Sequence, residues 1–258
     1  MKVFCAVSLL GGILVAVPVS AAQHNIVISD SLAANADTLI VKHGAQWVGR
    51  IAKWRIGDYE VVSSKMGPTT TRTKGNLLRT EAASSSTGKF SFVLTNRTTD
   101  SARVNAAHNI TVQSLHDMGL GHGWAIGSHD EVVLDSENGT ASITLNGDTT
   151  DTWALLVGVT MGDSTAGKYQ AVLTNGERRI VISPASSKTH GRFGLLGSAA
   201  GYEFIENGQS LCALQYFGGT FGNTTLVWML RSLDARTKLM LAAAMTAVLQ
   251  MKSMEGGP

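Results

Sequence analysis

Four histidines fall within 22 residues: His108, His116, His122 and His129, interleaved with Asp117, Asp130 and Glu131. Imidazole and carboxylate together suit zinc or a similar divalent cation. Residues 104–165 contain no Lys or Arg to compete for such ligands. The candidate metal set is therefore His108, His116, His122, His129 and Asp130, and its chemistry would be metal-assisted hydrolysis within 108–131. The spacings speak against it. Seven, five and six residues intervene, which matches no ligand motif. On a strand, positions 108, 116 and 122 share a parity and 129 does not. Histidines in exposed loops make a simpler account. Asp148, Asp151 and Asp163, and Asp135 with Glu137, lie near glycines in turn-like stretches. Oxygen-rich turns can hold calcium, but these lack the alternate-residue spacing of an EF-hand loop.

Other catalytic signatures are missing from the sequence. Gly197-Ser198-Ala199-Ala200-Gly201 has the wrong spacing for a nucleophile elbow. There is no phosphate-binding loop, dinucleotide fingerprint, His-Glu-x-x-His or Cys-x-x-Cys. Carboxylate pairs assembled from distant strands would leave no local pattern. The reading leans toward a non-catalytic protein, with no cofactor beyond a divalent cation.

Charge offers a different chemistry. Residues 42–103 carry eleven Lys/Arg against four Asp/Glu, net +7, whereas 104–165 carry eight Asp/Glu and are net −8. Two explanations compete. The blocks lie side by side and neutralise each other, which is what a meandering β fold predicts for neighbours in sequence. Alternatively each keeps an unbalanced field that focuses ligands of opposite sign. In the second case Arg50, Lys53, Arg55, Lys65, Arg72, Lys74 and Arg79 would meet an anionic glycan or a lipid headgroup at a membrane surface. Nucleic acid is not among the expected partners, and the oligomeric state is open.

The frame that must carry these residues is β-rich. Apolar residues make up 44% of the 258-residue chain, with 28 glycines and only 4 prolines. That suits short strands joined by tight turns. Residues 1–22 read as a cleaved signal peptide: Lys2, an uncharged apolar run over 3–17, Pro18, then Ser20-Ala21-Ala22. This predicts a secreted or periplasmic protein of bacterial type, with residues 23–258 forming one domain. Four Asn-x-Ser/Thr sequons, at Asn96, Asn109, Asn138 and Asn223, would matter only in a eukaryotic secretory pathway. Cys5 leaves with the signal, so Cys212 is the one remaining thiol and no intrachain disulfide can form. Its apolar neighbours predict a buried, inert group.

Two Asn-Gly pairs mark hairpins. The turn at Asn175-Gly176 predicts Leu173 opposite Arg178 and Ala171 opposite Ile180. The turn at Asn207-Gly208 predicts Phe204 opposite Leu211. The string Gly88-Lys89-Phe90-Ser91-Phe92-Val93-Leu94-Thr95-Asn96 matches residues 167–175 at six of nine positions. This suggests a duplicated half-domain, about 67–96 and 147–175. A C-terminal helix over 233–252, capped by Ser232, is Ala/Leu/Met-rich on most sides. Its uncharged run is too short to span a bilayer, although a helix inserting into lipid would make this a membrane-active β protein. The expected fold is an all-β, antiparallel, sandwich-like domain closed by that one helix. Exported β proteins include adhesins, pore-forming proteins and carbohydrate-binding modules, and no motif selects among them. The leading function is a secreted, non-catalytic binding or surface-interaction protein.

Overall fold

The computed structural model describes residues 26–75, 81–97, 99–116, 130–160, 168–186, 200–217 and 225–255. The proposed signal, Arg79, His122 and His129 lie outside them. A short helix, α1 (Asp30–Asn35), precedes thirteen strands. These are β1 (Ala36–His43), β2 (Trp54–Ile56), β3 (Tyr59–Met66), β4 (Thr70–Gly75), β5 (Glu81–Thr95), β6 (Ser101–His116) and β7 (Asp130–Leu145). Then come β8 (Asp148–Thr160), β9 (Lys168–Thr174), β10 (Arg179–Ser186), β11 (Ala200–Glu206), β12 (Gln209–Phe217) and β13 (Leu226–Leu230), followed by α2 (Ala235–Glu255).

The strands form one antiparallel meander that closes on itself, not a sandwich. β13 returns to β1, and β3 pairs with β5, so twelve strands make a barrel. β4 is the thirteenth: it pairs with the far half of β5, Ala82 to Thr87, beyond the stretch that β3 occupies. The reason is α2. From Leu239 to Met251 every residue is buried, including Thr246 and Gln250. A sandwich face covers only one side of a helix. A ring of strands covers all sides, and twelve leave room for a helix about 10 Å across where about eight would be filled by side chains alone. The 21-residue helix runs about 31 Å along the lumen.

The helix is fixed by glycines and by its few polar groups. Met251 Sδ lies 2.6 Å from where a Gly139 Cβ would stand, so only glycine lets the helix approach β7 there. Gly88 makes the same room for Met254 on β5. Thr246 Oγ1 donates to the Ala242 carbonyl at 2.8 Å, and Gln250 Oε1 accepts from Trp54 Nε1 at 3.0 Å. Asp234, not Ser232, caps the helix: its Oδ1 accepts from the Thr237 N–H at 2.9 Å and its Oδ2 from the Thr237 hydroxyl at 2.7 Å.

Strand polarity follows from the buried helix. On β5, Phe90, Phe92 and Leu94 are buried, while Lys89, Ser91, Val93 and Thr95 alternate with them. On β6, Val104 and Ala106 are buried and Arg103 and Asn105 exposed; on β7, Ile143 and Leu145 alternate with Ser142 and Thr144. Wherever side chains are described on β5–β7, the outward positions lack the apolar band of a lipid-spanning barrel. No described helix is long and apolar enough to cross a membrane. The outer side of β12 and β13 is instead covered by α1 and the residues before it. Leu32 is fully buried, and Ile26 N–H donates to Gln215 Oε1 at 2.9 Å.

Both hairpins form, each with a corrected register. Ile180 faces Leu173 and Arg179 faces Thr174, two residues from the expected pairing. Asn175 Oδ1 accepts from the N–H groups of both Glu177 and Arg178, at 3.1 and 2.9 Å, and widens the loop. A slip of two keeps Ala171, Ile180 and Ile182 inward. At Asn207-Gly208 both residues have positive φ, 50° and 80°, as a two-residue turn needs. A bulge between Phe204 and Ile205 then places Phe204 opposite Cys212 rather than Leu211. Cys212 is fully buried, and burial pushes its thiol pKa well up, so it is held as a neutral thiol. The repeated nonapeptides fall on β5 and β9, two strands of one continuous wall separated by β6, β7 and β8.

Turns of a few residues gather at the end where α2 begins, and ion pairs lock it there. Arg236 Nη2 sits 2.8 Å from Asp151 and 3.3 Å from Asp148, and Arg178 meets Glu206 at 2.8 Å while its guanidinium lies 5.4 Å from the Trp153 ring centre. The hydrogen bond from Asn175, then Arg236, lowers the Asp151 pKa; Arg178 lowers that of Glu206; Thr237 lowers that of Asp234.

Two outcomes test this architecture. Leu241 is fully buried, so Leu241→Lys places an unpaired charge in the lumen at a cost of about 3–5 kcal/mol. Near-UV circular dichroism should show loss of the native state, and a stable, folded variant would place the helix outside the core. Acid should also destabilise the barrel from the α2 end. The three carboxyls bind protons more weakly folded than unfolded. Their contribution is therefore complete above about pH 4.5 and lost as pH falls through the lowered folded values. Melting temperature should fall below about pH 4, and less steeply in Arg236→Gln and Glu206→Gln; identical slopes would remove these pairs from the account.

Candidate functional site

The outer face of β3–β6 gathers the cations that the barrel leaves without carboxylate partners. β5 is its spine. Because Phe90 and Phe92 point inward, Lys89 and Ser91 point outward, as do Ser85 and Thr87 by parity. The ladder then fixes the neighbours: Lys65 lies opposite Ser91, Arg72 opposite Ser85, Lys74 opposite Ala83 and Arg103 opposite Val93. Among the described residues none of these five cations forms an ion pair. Around them the outward positions of β6 and β7 are neutral and polar: Asn105, Asn109, Thr111, Thr140, Ser142 and Thr144.

A groove of about 540 Å³ crosses this face where β3 leaves β5 and β4 joins it. Gly67, Pro68 and Thr70 form one bank; Ser85, Thr87, Lys89 and Asn109 form the floor and the other bank, and Arg72 closes one end. The Gly67 N–H donates to the Lys89 carbonyl at 2.8 Å, which holds the crossing chain against β5. Asn109 Oδ1 accepts from Ser85 Oγ at 3.2 Å and from Thr87 Oγ1 at 3.0 Å. Its acceptor atom is thus occupied, and its Nδ2 joins the Arg72 guanidinium and the Lys89 ammonium as donors. A groove edged by donors, two of them cationic, matches oxygen acceptors such as carboxylate or sulfate.

The seven cations read from the sequence divide. Lys65, Arg72 and Lys74 share this face. Lys53 is held by Glu60 at 2.6 Å, and that hydrogen bond lowers the Glu60 pKa. Arg55 Nε donates to the Gly57 carbonyl at 3.1 Å. Arg50 stands exposed on the turn closed by its own N–H to the Trp47 carbonyl, at 3.0 Å. Arg79 lies outside the described residues. Lys89, Arg103 and Asn109 were missed, although alternation about Phe90, Phe92 and Val104 already turned the two cations outward.

The opposite charge blocks do adjoin, since β5 pairs with β6 along its whole length. They do not neutralise each other through described ion pairs. The acidic block's Asp148 and Asp151 are held by Arg236 of the helix, while Lys53 and Arg97 pair with Glu60 and Asp58 of their own block.

The histidines separate. His108 is an inward, buried residue in the middle of β6, opposite Gly139. His116 ends the same strand eight positions on, about 26 Å away at the rise of a strand, beyond the span of one metal ion. His116 and Asp130 are ladder partners where β6 and β7 end. Among the described residues no three His, Cys, Asp or Glu side chains converge on a cation position. No family model, curated protein or solved structure matches this chain.

Proposed function

We propose that the chain is a secreted, non-catalytic binding protein whose outer β3–β6 face takes an acidic polysaccharide. The observation that carries this is a groove lined by Arg72, Lys89 and Asn109, whose two cations form no ion pair among the described residues. An extended glycan favours this geometry over a lipid headgroup. The groove is flanked by hydroxyl and amide side chains that suit sugar hydroxyls, and its lining includes no large apolar side chain to enter a bilayer. Asn105, Thr140 and Ser142 continue the polar surface across β6 and β7, so several sugar units can be followed along one side of the barrel. Export through the N-terminal signal would bring this face to the cell exterior or periplasm, where such polymers occur.

Affinity electrophoresis through a sulfated or uronate-rich polysaccharide, with neutral dextran as control, tests the reading. Retardation should appear at low salt and fade as ionic strength rises. The double variant Arg72→Gln/Lys89→Gln should weaken it at least tenfold. Its folding stability should stay within about 0.5 kcal/mol, because surface charges without partners contribute little. Retention of binding in that variant, or binding to anionic vesicles and not to polysaccharide, would overturn the assignment.

A further inference from the structure

Past the last turn of α2 the described residues leave a cavity. It measures about 620 Å³ and opens between the last turn of the helix, β3, β5 and β6. That volume is in the range of small-molecule sites. Its apolar lining comes from Met66, Ile110 and Met254, with Trp47 and Val48 at the rim. Its polar lining comes from His108, Ser86, Thr69, Ser253 and Gln46, with no Lys, Arg, Asp or Glu among the described lining residues.

Three observations make this more than a packing defect. Trp47 is 73% exposed and Val48 fully exposed, adjacent on one turn at the mouth, where Gly49 takes φ +74°. A tryptophan beside a valine in water is unfavourable unless something covers them. Secondly, two of the apolar wall residues are methionines, whose unbranched chains reshape around guests of differing form. Thirdly, the Met254 methyl occupies the space a Gly88 side chain would need, so glycine at that position lets a movable side chain form the floor. Ser86 and Ile110 face each other across the β5–β6 ladder, which places a hydroxyl and an apolar group at one level of the wall.

We propose that this cavity binds a small, uncharged, mainly apolar molecule that carries one hydrogen-bonding group, its apolar body against Met66, Ile110 and Met254 and its rim contact on Trp47. The uncharged character of the described lining sets the class: an ionised head would lose its hydration with no counter-charge from those residues. The site is separate from the outer groove, since Lys89, Arg72 and Asn109 lie on the other side of the wall.

N-phenyl-1-naphthylamine, a neutral aromatic amine whose emission rises in apolar surroundings, is the probe. The full-length mature protein should bind one equivalent, and binding should shield Trp47 from acrylamide quenching. 1-Decanol should displace the probe, and decyltrimethylammonium should compete at least tenfold more weakly. Ser86→Leu fills the cavity from the strand and Thr69→Trp blocks its mouth from an exposed position. Each should weaken binding about tenfold or more, and Thr69→Trp does so without touching the core. Trp47→Phe should keep the probe while losing the quenching change. A sulfated polysaccharide should not displace the probe, so failure of either site leaves the other standing. No uptake of the probe, equal uptake by both blocking variants, or a Trp47 already shielded in the unliganded protein would each overturn the proposal.

Discussion

A helix with no polar side is the constraint on which this molecule depends. From Leu239 to Met251 it offers water nothing but Thr246 and Gln250, and both are bonded internally. Such a helix must be enclosed around its whole circumference. A closed ring of strands does this with one continuous ladder, and only β4, outside the ring, is paired on one side alone among the described strands. The helix also explains the glycines at 88 and 139, which bring its methionines against the wall. It explains why the cluster of ion pairs sits at one end. The N-terminus of α2 is where a buried element meets water, and Asp234, Arg236, Asp148 and Asp151 make that junction polar.

The same arrangement decides what the surface is free to do. Asp148 and Asp151, both at the start of β8, are held by Arg236 in the first turn of the helix. They are therefore not partners for Lys65, Arg72, Lys74, Lys89 and Arg103 on the neighbouring strands. Alternate positions on β5 and β6 must be apolar to cover the helix, so the remaining ones are left to carry charge and hydroxyl groups. A strongly polar outer face is thus the complement of a strongly apolar lumen. Its cations remain exposed and form no ion pair among the described residues.

Strands such as those around 90–94, 140–145 and 153–159, the hairpin turns, the buried thiol and the terminal helix were legible in the sequence, because each rests on a local signal: alternation at period two, Asn-Gly pairs, an Ala/Leu/Met run. The Ser/Thr-rich stretch 63–87, which carries β4 and parts of β3 and β5, lacks that alternation. The closure was not legible either. It depends on β3 finding β5 across one intervening strand and on β13 finding β1, pairings that no local pattern encodes. Yet the sequence held a clue. An apolar run on every side of 239–251 fits a lumen and fits a sheet face poorly, so the helix itself argued against a sandwich. The two register differences have local causes, an asparagine side chain that caps two N–H groups and a single bulged residue. In the candidate site Lys65, Arg72 and Lys74 could be grouped by charge alone. Lys89 and Arg103 required the parity of Phe90 and Val104, and Asn109 required the pairing of β5 with β6. For His108 and His116, nearness in sequence is not nearness along an extended chain: at about 3.3 Å per residue, eight positions carry one far from the other.

The two ends of the barrel differ in kind, and the difference follows from the path of the chain. A meander alternates its connections between top and bottom. Here one set comprises tight turns such as Asn146-Gly147, Asn175-Gly176 and Asn207-Gly208, all with positive φ at glycine. The helix starts at that end, so its cap and ion pairs lie beside these turns. It finishes at the other end, after its last buried residue Met251, while β5, β6 and β7 run on to 15 or 16 residues each. Past its last turn the described residues border a cavity, among them Met66, Met254, His108 and the exposed Trp47. The same long strands provide the outer surface on which the groove lies. The groove and the cavity on which the two proposals rest therefore both border the long strands β5 and β6, away from the ion pairs where the helix begins.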